Sequence, residues 1–152
     1  MVVRPAKHED RAQLIELMKG YFAFYRTPFP ASSKVEALLG ALDGDPDRGV
    51  QLVAEADGRL QGFATLYASF DTLVADRILV MNDLFVNPSL RNHGVGAALF
   101  DASLAYATQH GYVRLDWVTA ADNHDAQRFY DRHGGQRGPW VSYSLVPANR
   151  PS

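Results

Sequence analysis

The residues best suited to chemistry lie in one glycine-containing stretch, residues 87–99, which joins a strand pattern to a helix pattern. Upstream, residues 78–86 are mostly β-branched, aromatic and aliphatic, and an Asn-Pro pair stops them as a strand. Downstream, apolar residues keep helical spacing as far as His110. Gly94 and Gly96 therefore lie where a helix begins. Unpaired backbone N–H groups and the helix macrodipole favour an anion such as a phosphate at that position.

The glycine spacing leaves three interpretations open. The glycines form only a tight turn, or they bind a phosphate with Arg91 adding a charge at the rim. Alternatively, Gly94-x-Gly96 and Asp116, 20 positions after Gly96, belong to a dinucleotide fingerprint, although Leu99 takes the third glycine position. A P-loop is excluded, because no Lys-Ser or Lys-Thr follows the last glycine.

Composition and charge narrow the class of protein. The 152 residues are 47% hydrophobic and 21% charged, with a net charge of -2. We expect a single domain over residues 1–152 without a nucleic-acid or membrane partner, because no basic stripe or long apolar segment occurs. The absence of cysteine excludes thiolate chemistry, and together with the lack of a signal-peptide pattern it favours a cytoplasmic location. The histidines lack metal-ligand spacing, so we expect no metal site.

The remaining patterns predict the elements that must hold the glycine stretch. Apolar periodicity predicts strands over residues 2–3, 50–56, 60–67, 78–86, 112–119 and 140–146, and helices over residues 8–20, 32–42, 94–110 and 123–133. Residues 69–77 are predicted as a polar loop. The order predicts a mixed sheet with helices on both faces and a right-handed parallel crossover through helix 94–110.

An aromatic segment follows the first predicted helix. Residues 21–30 hold five aromatic side chains in ten positions, Tyr21 and Tyr25 among them, ahead of a double-proline break. Such a segment forms either a hydrophobic flap over the core or a wall of a substrate pocket.

Two motifs resemble the GNAT superfamily, the Gcn5-related acyl-CoA-dependent N-acyltransferases. The first, Asp83-Leu-Phe-Val-Asn-Pro-x-x-Arg91-x-x-Gly94-Val-Gly96-x-x-Leu99, matches the family's strand, pyrophosphate loop and helix. The second, Asn123-x-x-Ala126-x-x-Phe129-Tyr130-x-x-x-Gly134, is similar to the helix beside the pantetheine arm. The element order agrees from residue 1 to about residue 146. Residues 70–86 and the aromatic segment look closest to the diamine and thialysine acetyltransferase branch.

The resemblance implies a fold and a cofactor. The fold is α/β (α+β), with a mixed, mostly antiparallel sheet of six to seven strands, helices on both faces and a splayed central strand pair. Strands 78–86 and 112–119 diverge to admit the pantetheine arm of acetyl-CoA, which pairs with strand backbone as in β-augmentation. The implied cofactor-binding residues are Leu84, Phe85, Val86, Arg91, Asn92, His93, Gly94, Val95, Gly96, Ala97, Asn123, Ala126 and Phe129. Asn123 is also a candidate helix N-cap.

The resemblance also implies catalytic groups. Tyr130 matches the tyrosine that protonates the coenzyme A sulfur, and a backbone N–H of residues 84–86 polarises the carbonyl. In the diamine branch a glutamate accepts the ammonium proton, but Asn82 takes its place here and cannot accept one. Asp83 is the next candidate base, although strand alternation points it to the other face, where it would be a structural acceptor. The predicted acceptor contacts are Tyr21, Tyr25, Asn82, Asp116 and Trp117.

These inferences predict an acetyl-CoA-dependent N-acetyltransferase that acts on a primary amine of a small molecule, such as a polyamine, an amino acid or a related metabolite. Two alternatives stay open: a non-catalytic acyl-CoA-binding module and a nicotinamide-dependent oxidoreductase. Many proteins that resemble this superfamily form homodimers, and the predicted strand 140–146 is a plausible edge for such pairing.

Overall fold

The computed structural model describes residues 1–152 and contains five strands and four α-helices. In chain order they are β1 (Val2–Pro5), α1 (Arg11–Phe24), α2 (Ser32–Leu42), β2 (Gly49–Ala56), β3 (Arg59–Asp71), β4 (Asp76–Val86), α3 (Val95–Gln109), β5 (Leu115–Asp116) and α4 (His124–Arg132). Short 3-10 turns cover His8–Asp10, Pro88–Leu90 and Pro147–Asn149.

The five strands form one mixed sheet in the order β1-β2-β3-β4-β5. The first three neighbouring pairs are antiparallel, and β4 pairs with β5 in parallel. The α3 helix connects this parallel pair, as the sequence predicted. The predicted α/β fold with a mixed sheet is confirmed, although five strands form rather than six to seven.

Helices cover both faces of the sheet, and adjacent residues of β3 show it. The ring of Phe63 lies 6.0 Å from that of Tyr21 on α1. A Cβ on the neighbouring Gly62 would instead lie 3.1 Å from Leu99 Cδ1 on α3. Because successive side chains of a strand point to opposite faces, α1 and α3 lie on opposite sides of the sheet. The core on the α1 side also includes Val53 and Phe85.

Three predicted elements differ from the structure. Residues 140–146 form no strand, because their backbone has no neighbouring strand to pair with. The strand predicted over 112–119 shrinks to Leu115–Asp116, since only this part lies in register with β4. The polar loop predicted over 69–77 is a turn at 72–75, because Ser69 and Phe70 pair with Ile78 and Arg77 and so lengthen both strands.

The chain divides into two compact units, Met1–Val118 and Thr119–Ser152. The first contains the complete sheet with α1, α2 and α3, and the second contains α4 and the C-terminal segment. None of the helices combines the length and the apolar composition that a bilayer crossing requires.

Gly62 sets how closely β3 approaches β4. A Cβ at this position would lie 2.6 Å from the backbone oxygen of Phe85. We expect Gly62→Ala to lower the free energy of unfolding by about 1–3 kcal/mol, because β4 must shift to relieve the overlap. Thermal and urea unfolding measure this loss.

Gly40→Ala is the matched control, because Gly40 lies on an exposed part of α2 where a Cβ meets only Arg11 Nη2, at 4.0 Å. Because alanine favours a helix more than glycine does, the free energy of unfolding of this variant should equal that of the parent or exceed it by up to about 1 kcal/mol. Equal losses in both variants would contradict the close approach at Gly62.

Candidate active site

The start of α3 has the features of an anion site. Gly94 is the N-cap, with a left-handed φ of 81°, and no side chain caps the helix. None of the backbone N–H groups from Asn92 to Ala97 makes a hydrogen bond of normal geometry within the protein. This arrangement presents a run of unpaired donors together with the positive end of the helix macrodipole. It fits the pyrophosphate that the sequence predicted there.

The two glycines of this loop differ in their roles. Gly94 needs its left-handed conformation, and the space that a Cβ would occupy is open to any approaching ligand. Gly96 lies in the first helical turn and has no positive φ. Asn92 is also left-handed, with a φ of 64°. The chain therefore curls at Asn92 and Gly94, and Gly96 contributes only its small size.

The segment before the loop is held by local hydrogen bonds. Asn87 Oδ1 accepts from the backbone N–H of Ser89 at 3.1 Å and from its hydroxyl at 3.0 Å, which stabilises the turn at Pro88–Leu90. His93 Nδ1 donates to the carbonyl of Arg91 at 2.7 Å. The predicted stop of the strand at Asn-Pro is therefore confirmed, with a side-chain cap as its cause.

Arg91 lies at the rim of the loop, against aromatic rings. Its guanidinium carbon is 5.4 Å from the ring centre of Phe24 and 5.9 Å from that of Phe85. No carboxylate forms an ion pair with it. The aromatic faces hold an unneutralised positive charge in place, as an anion-binding rim requires.

The second feature is the divergence of β4 from β5. The two strands pair only at Leu79 and Val80, with Leu79 N–H donating to the Arg114 carbonyl at 2.9 Å. Farther along, β4 remains paired with β3 but has no ladder partner on the β5 side. Leu84, Phe85 and Val86 thus lie on an open strand edge, which is the slot that the resemblance implies for a pantetheine arm.

A β-bulge in β4 changes the direction of two predicted site residues. Asp83 pairs with Thr65 and Met81 pairs with Leu66, so Asn82 is an extra residue with no partner. Asn82 Nδ2 donates to Asp83 Oδ1 at 3.1 Å, which requires both side chains to lie on the same side. The prediction from simple alternation that they point to opposite faces is therefore wrong, because a bulge interrupts the two-residue period.

Asp83 is an acidic group without a basic partner. It is half-buried and forms no ion pair with any cationic side chain of the protein. Burial, and then the nearby charge of Asp83, raise the pKa of Tyr67 above its usual value, so the phenol keeps its proton at neutral pH. The sequence analysis missed Tyr67, although it lies two residues after Thr65 and therefore on the same face of β3.

Asp116 forms an ion pair with a neighbouring arginine. Arg114 donates through Nε to one carboxylate oxygen at 2.6 Å and through Nη2 to the other at 3.0 Å. Arg114 also pairs with Asp71, and this hydrogen bond lowers the pKa of the Asp71 carboxyl below its usual range. Asp116 therefore shares Arg114 with Asp71, and its use as an acceptor contact stays a prediction.

The predicted aromatic contacts divide between packing and exposure. Tyr21 lies on α1, and its ring packs edge-on to Phe63 and Phe85. Tyr25 ends that helix and is 45% exposed. The ring of Trp117 packs edge-on to Phe100 of α3, at 5.3 Å. Because α1 extends to Phe24, the first residues of the segment 21–30 are helical. Tyr21 packs on core residues, as the hydrophobic-flap interpretation of this segment predicted.

The residues predicted from the second motif lie on or beside α4. Asn123 Oδ1 accepts from Ala126 N–H at 3.2 Å, so the expected N-cap forms. Ala126, Phe129 and Tyr130 follow at spacings of three and four, which places them on one side of the helix. The rings of Phe129 and Tyr130 are 5.4 Å apart. Their roles toward the cofactor stay predictions.

The chain belongs to the acetyltransferase (GNAT) family, whose sequence model matches residues 13–135. It is 35% identical over 150 residues to the uncharacterized N-acetyltransferase YhfO of Bacillus subtilis (strain 168), across 97% of this chain and 99% of that protein. A crystal structure of a probable acetyltransferase matches with a TM-score of 0.85 at 28% identity, covering 99% of this chain and 100% of that one. The protein is therefore an N-acetyltransferase of a family that uses acetyl-CoA. This result excludes the alternative interpretation as a nicotinamide-dependent oxidoreductase.

Two further relatives have named substrates. The D-amino-acid N-acetyltransferase HPA3 of Saccharomyces cerevisiae is 26% identical over 133 residues, across 87% of this chain and 83% of that protein. The L-ornithine N5-acetyltransferase NATA1 of Arabidopsis thaliana is 28% identical over 111 residues, across 72% of this chain and 47% of that protein.

The conformation of Gly94 gives a direct test of the anion site. Gly94→Ala places a side chain at a φ of 81° and so strains the turn by about 1–2 kcal/mol. We expect the altered turn to misalign the free N–H groups and to raise the KM for acetyl-CoA on the order of tenfold, or about 1.4 kcal/mol. Steady-state kinetics measure this change.

Gly111→Ala provides the control at the opposite end of α3. Gly111 has a similar φ of 74° and equally open space around its missing Cβ. Its substitution should cost similar stability but leave the KM for acetyl-CoA unchanged. An unchanged KM in Gly94→Ala, or equal increases in both variants, would count against the anion site.

Proposed function

We propose that this protein transfers the acetyl group of acetyl-CoA to a primary amine of a small molecule, such as an amino acid, a diamine or a related metabolite. The observation that carries the proposal is the position of Asp83. It is a half-buried carboxylate without a cationic partner, next to an open strand edge of β4. A cationic amine would supply the missing partner, because a carboxylate removed from water is stabilised by an opposite charge.

The cofactor fits the chain in two places. The free N–H groups of residues 92–97 would hold the pyrophosphate, with the guanidinium of Arg91 at the rim. The open edge at Leu84, Phe85 and Val86 would pair with the pantetheine amides. By resemblance, Asn123, Ala126 and Phe129 would also line the cofactor. When bound, acetyl-CoA supplies an acetyl group activated as a thioester.

Three groups of the chain would then serve the reaction. Asp83 would accept a proton from the ammonium group, so that the neutral amine can attack the carbonyl carbon. A backbone N–H on the open edge of β4 would stabilise the negative charge that develops on the carbonyl oxygen. Tyr130 would donate its hydroxyl proton to the sulfur as the C–S bond breaks, and the proton that the attacking nitrogen releases as the amide forms would restore the phenol.

Asn82 would position the base and would not itself accept a proton. Its amide donates to Asp83 Oδ1, and this hydrogen bond holds one carboxylate oxygen while the other stays available to the amine. Tyr67, on the neighbouring strand, would form the wall beside the ammonium group. This arrangement departs from the diamine and thialysine branch, where a glutamate takes the place of Asn82. Only residues 70–86 and the aromatic segment, residues 21–30, support membership in that branch.

The substrate class is supported by relatives and by charge. One relative is named for D-amino acids and another for L-ornithine. Asp71 and Asp116 both pair with Arg114, whereas Asp83 has no cationic partner and is the better placed carboxylate to bind an ammonium group. A single free carboxylate matches a substrate with one reacting ammonium group better than a long polyamine with several.

A panel of amines tests the proposal through release of coenzyme A thiol. We expect turnover with an amino acid or short diamine, and weaker turnover with long polyamines. Binding of acetyl-CoA without acetylation of any small amine in the panel would contradict the proposed substrate class.

Substitutions of the two proton-handling residues test the mechanism. We expect Asp83→Asn and Tyr130→Phe each to lower kcat by about 10²–10⁴-fold, as loss of an acid or base does, with little change in the KM for acetyl-CoA. Asp76→Asn is the control, because Asp76 is an exposed carboxylate at the start of the same strand. Undiminished kcat in Asp83→Asn would exclude it as the base.

A further inference from the structure

A cavity of about 560 Å³ lies at the β1 side of the sheet, within the first compact unit. Leu14 of α1 and Leu39 of α2 line it on one face of the sheet, and Ala105 and Tyr106 of α3 line it on the other. None of the residues assigned above to the cofactor or to acetyl transfer takes part in the lining. Its volume is within the roughly 300–1,000 Å³ of small-molecule sites. The cavity is therefore large enough for a ligand and separate from the acetyl-transfer site.

An open stretch of β2 forms the back of this cavity. β1 pairs with β2 only over residues 52–55, whereas β2 begins at Gly49. Past the end of β1, the carboxyl-terminal neighbour Ala6 donates its N–H to the Gln51 carbonyl at 2.8 Å. Alternate residues of an antiparallel strand turn their N–H and C=O groups to the same side, so Gly49 faces this edge too. No residue hydrogen-bonds to Gly49 there, and its backbone groups are available to a ligand.

Two deeply buried polar side chains also line the cavity with hydrogen-bonding capacity to spare. Gln51 is only 7% exposed, and its Nε2 donates to Thr65 Oγ1 at 3.2 Å while its Oε1 accepts no hydrogen bond. Tyr106 is 9% exposed, and its ring stacks on that of His110 at 3.8 Å, but its hydroxyl makes no hydrogen bond. Burial raises the pKa of Tyr106 above its usual value, so the phenol remains a donor at neutral pH. Buried polar groups normally have partners, and a ligand would supply them here.

The charges around the cavity do not favour an ion. The charged side chains of the lining carry both signs and are paired: Arg4 with Asp10, Arg11 with Asp43, and Asp45 with Arg48. Lys7 forms no ion pair but is exposed, where water and salt screen its charge. A charged ligand would lose its water without gaining a buried opposite charge. The lining thus fits a neutral ligand.

We propose that this cavity binds a small neutral molecule that carries a secondary amide and an aliphatic group. A secondary amide presents one N–H and one C=O, which complement Gln51 Oε1, the Tyr106 hydroxyl and the open edge at Gly49. The leucine side chains of α1 and α2 would bury the aliphatic part. The acetylated product of an N-acetyltransferase is itself a secondary amide, so the cavity is suited to bind product away from the place where it forms. The inference does not depend on which amine the enzyme acetylates.

Three matched ligands test the chemical class by nitrogen-15 NMR titration of the labelled protein. N-acetyl-leucine N-methylamide is neutral, N-acetyl-leucine is an anion and leucine N-methylamide is a cation. For the neutral ligand we expect saturable amide shifts centred on residues 49–52 and 102–110. We expect the Kd of either charged ligand to be higher on the order of tenfold or more. Equal or tighter binding of a charged ligand, shifts confined to residues 82–97, or no saturable shift would overturn the proposal.

Substitutions in the lining locate the binding. Ala105→Phe should abolish saturable binding, because Ala105 lines the cavity from an exposed position on α3 where a larger side chain can be accommodated without unfolding. Leu104→Phe is the matched control, since Leu104 is 40% exposed on the same helix and does not line the cavity, and it should keep the parent's Kd. Gln51→Met removes the carboxamide at similar volume and should raise the Kd on the order of tenfold.

Circular dichroism of each variant reports whether the chain is folded. Parent-like affinity in folded Ala105→Phe or Gln51→Met would overturn the assignment of the ligand to this cavity. These measurements use binding alone, so a wrong assignment of the acetyl acceptor would leave their outcome unchanged.

Discussion

The structure depends on the unequal pairing of one strand. β4 pairs with β3 from Asp76 to Val86, but it pairs with β5 only at Leu79 and Val80. The β3 side fixes the strand in the core, where Phe85 packs against Phe63, with their ring centres 6.0 Å apart. The other side leaves backbone donors and acceptors open. The backbone N–H and C=O groups of an open strand edge need hydrogen-bond partners, and an extended ligand with its own amides can provide them.

β4 also positions the groups that would bind the cofactor and the substrate. Its end leads through the turn at Asn87 into the free N–H groups before α3. Its bulge at Asn82 turns Asp83 to the same side as the asparagine amide. A phosphate would thus be held beyond one end of the open edge, and an ammonium group near the other. The distance between a cofactor's phosphates and its thioester is spanned by an extended arm, and the open edge supplies a path for that arm.

Charge pairing decides which acidic residue is available to a substrate. Asp71 and Asp116 both form ion pairs with Arg114, whereas Asp83 forms none. The Asp83 carboxylate accepts a hydrogen bond from the side-chain amide of Asn82 and has no cationic partner. Because a half-buried charge without a partner is costly, a ligand with a positive charge would be stabilised beside Asp83. This argument comes from the protein's own ion pairs and does not need the identity of the substrate.

Local features of the site were predictable from the sequence, and long-range pairings were not. The start of α3 follows from helical spacing and from glycine, whose left-handed φ at position 94 is a local property. The bulge depends on how β4 registers with β3, and the Arg114–Asp71 pair joins residues 43 positions apart, so neither has a local signature. The predicted strand at 140–146 did not form, because strand composition alone cannot provide a neighbouring strand.

The central claim is that acetyl-CoA binds through backbone N–H groups before α3 and along the open edge of β4. Nitrogen-15 NMR of the labelled protein during titration with coenzyme A observes those groups directly. The account predicts that the largest amide shifts fall at residues 92–97 and 84–86, with little change at the C-terminal end of α3. Saturable binding that leaves the amides of residues 92–97 unshifted would contradict it.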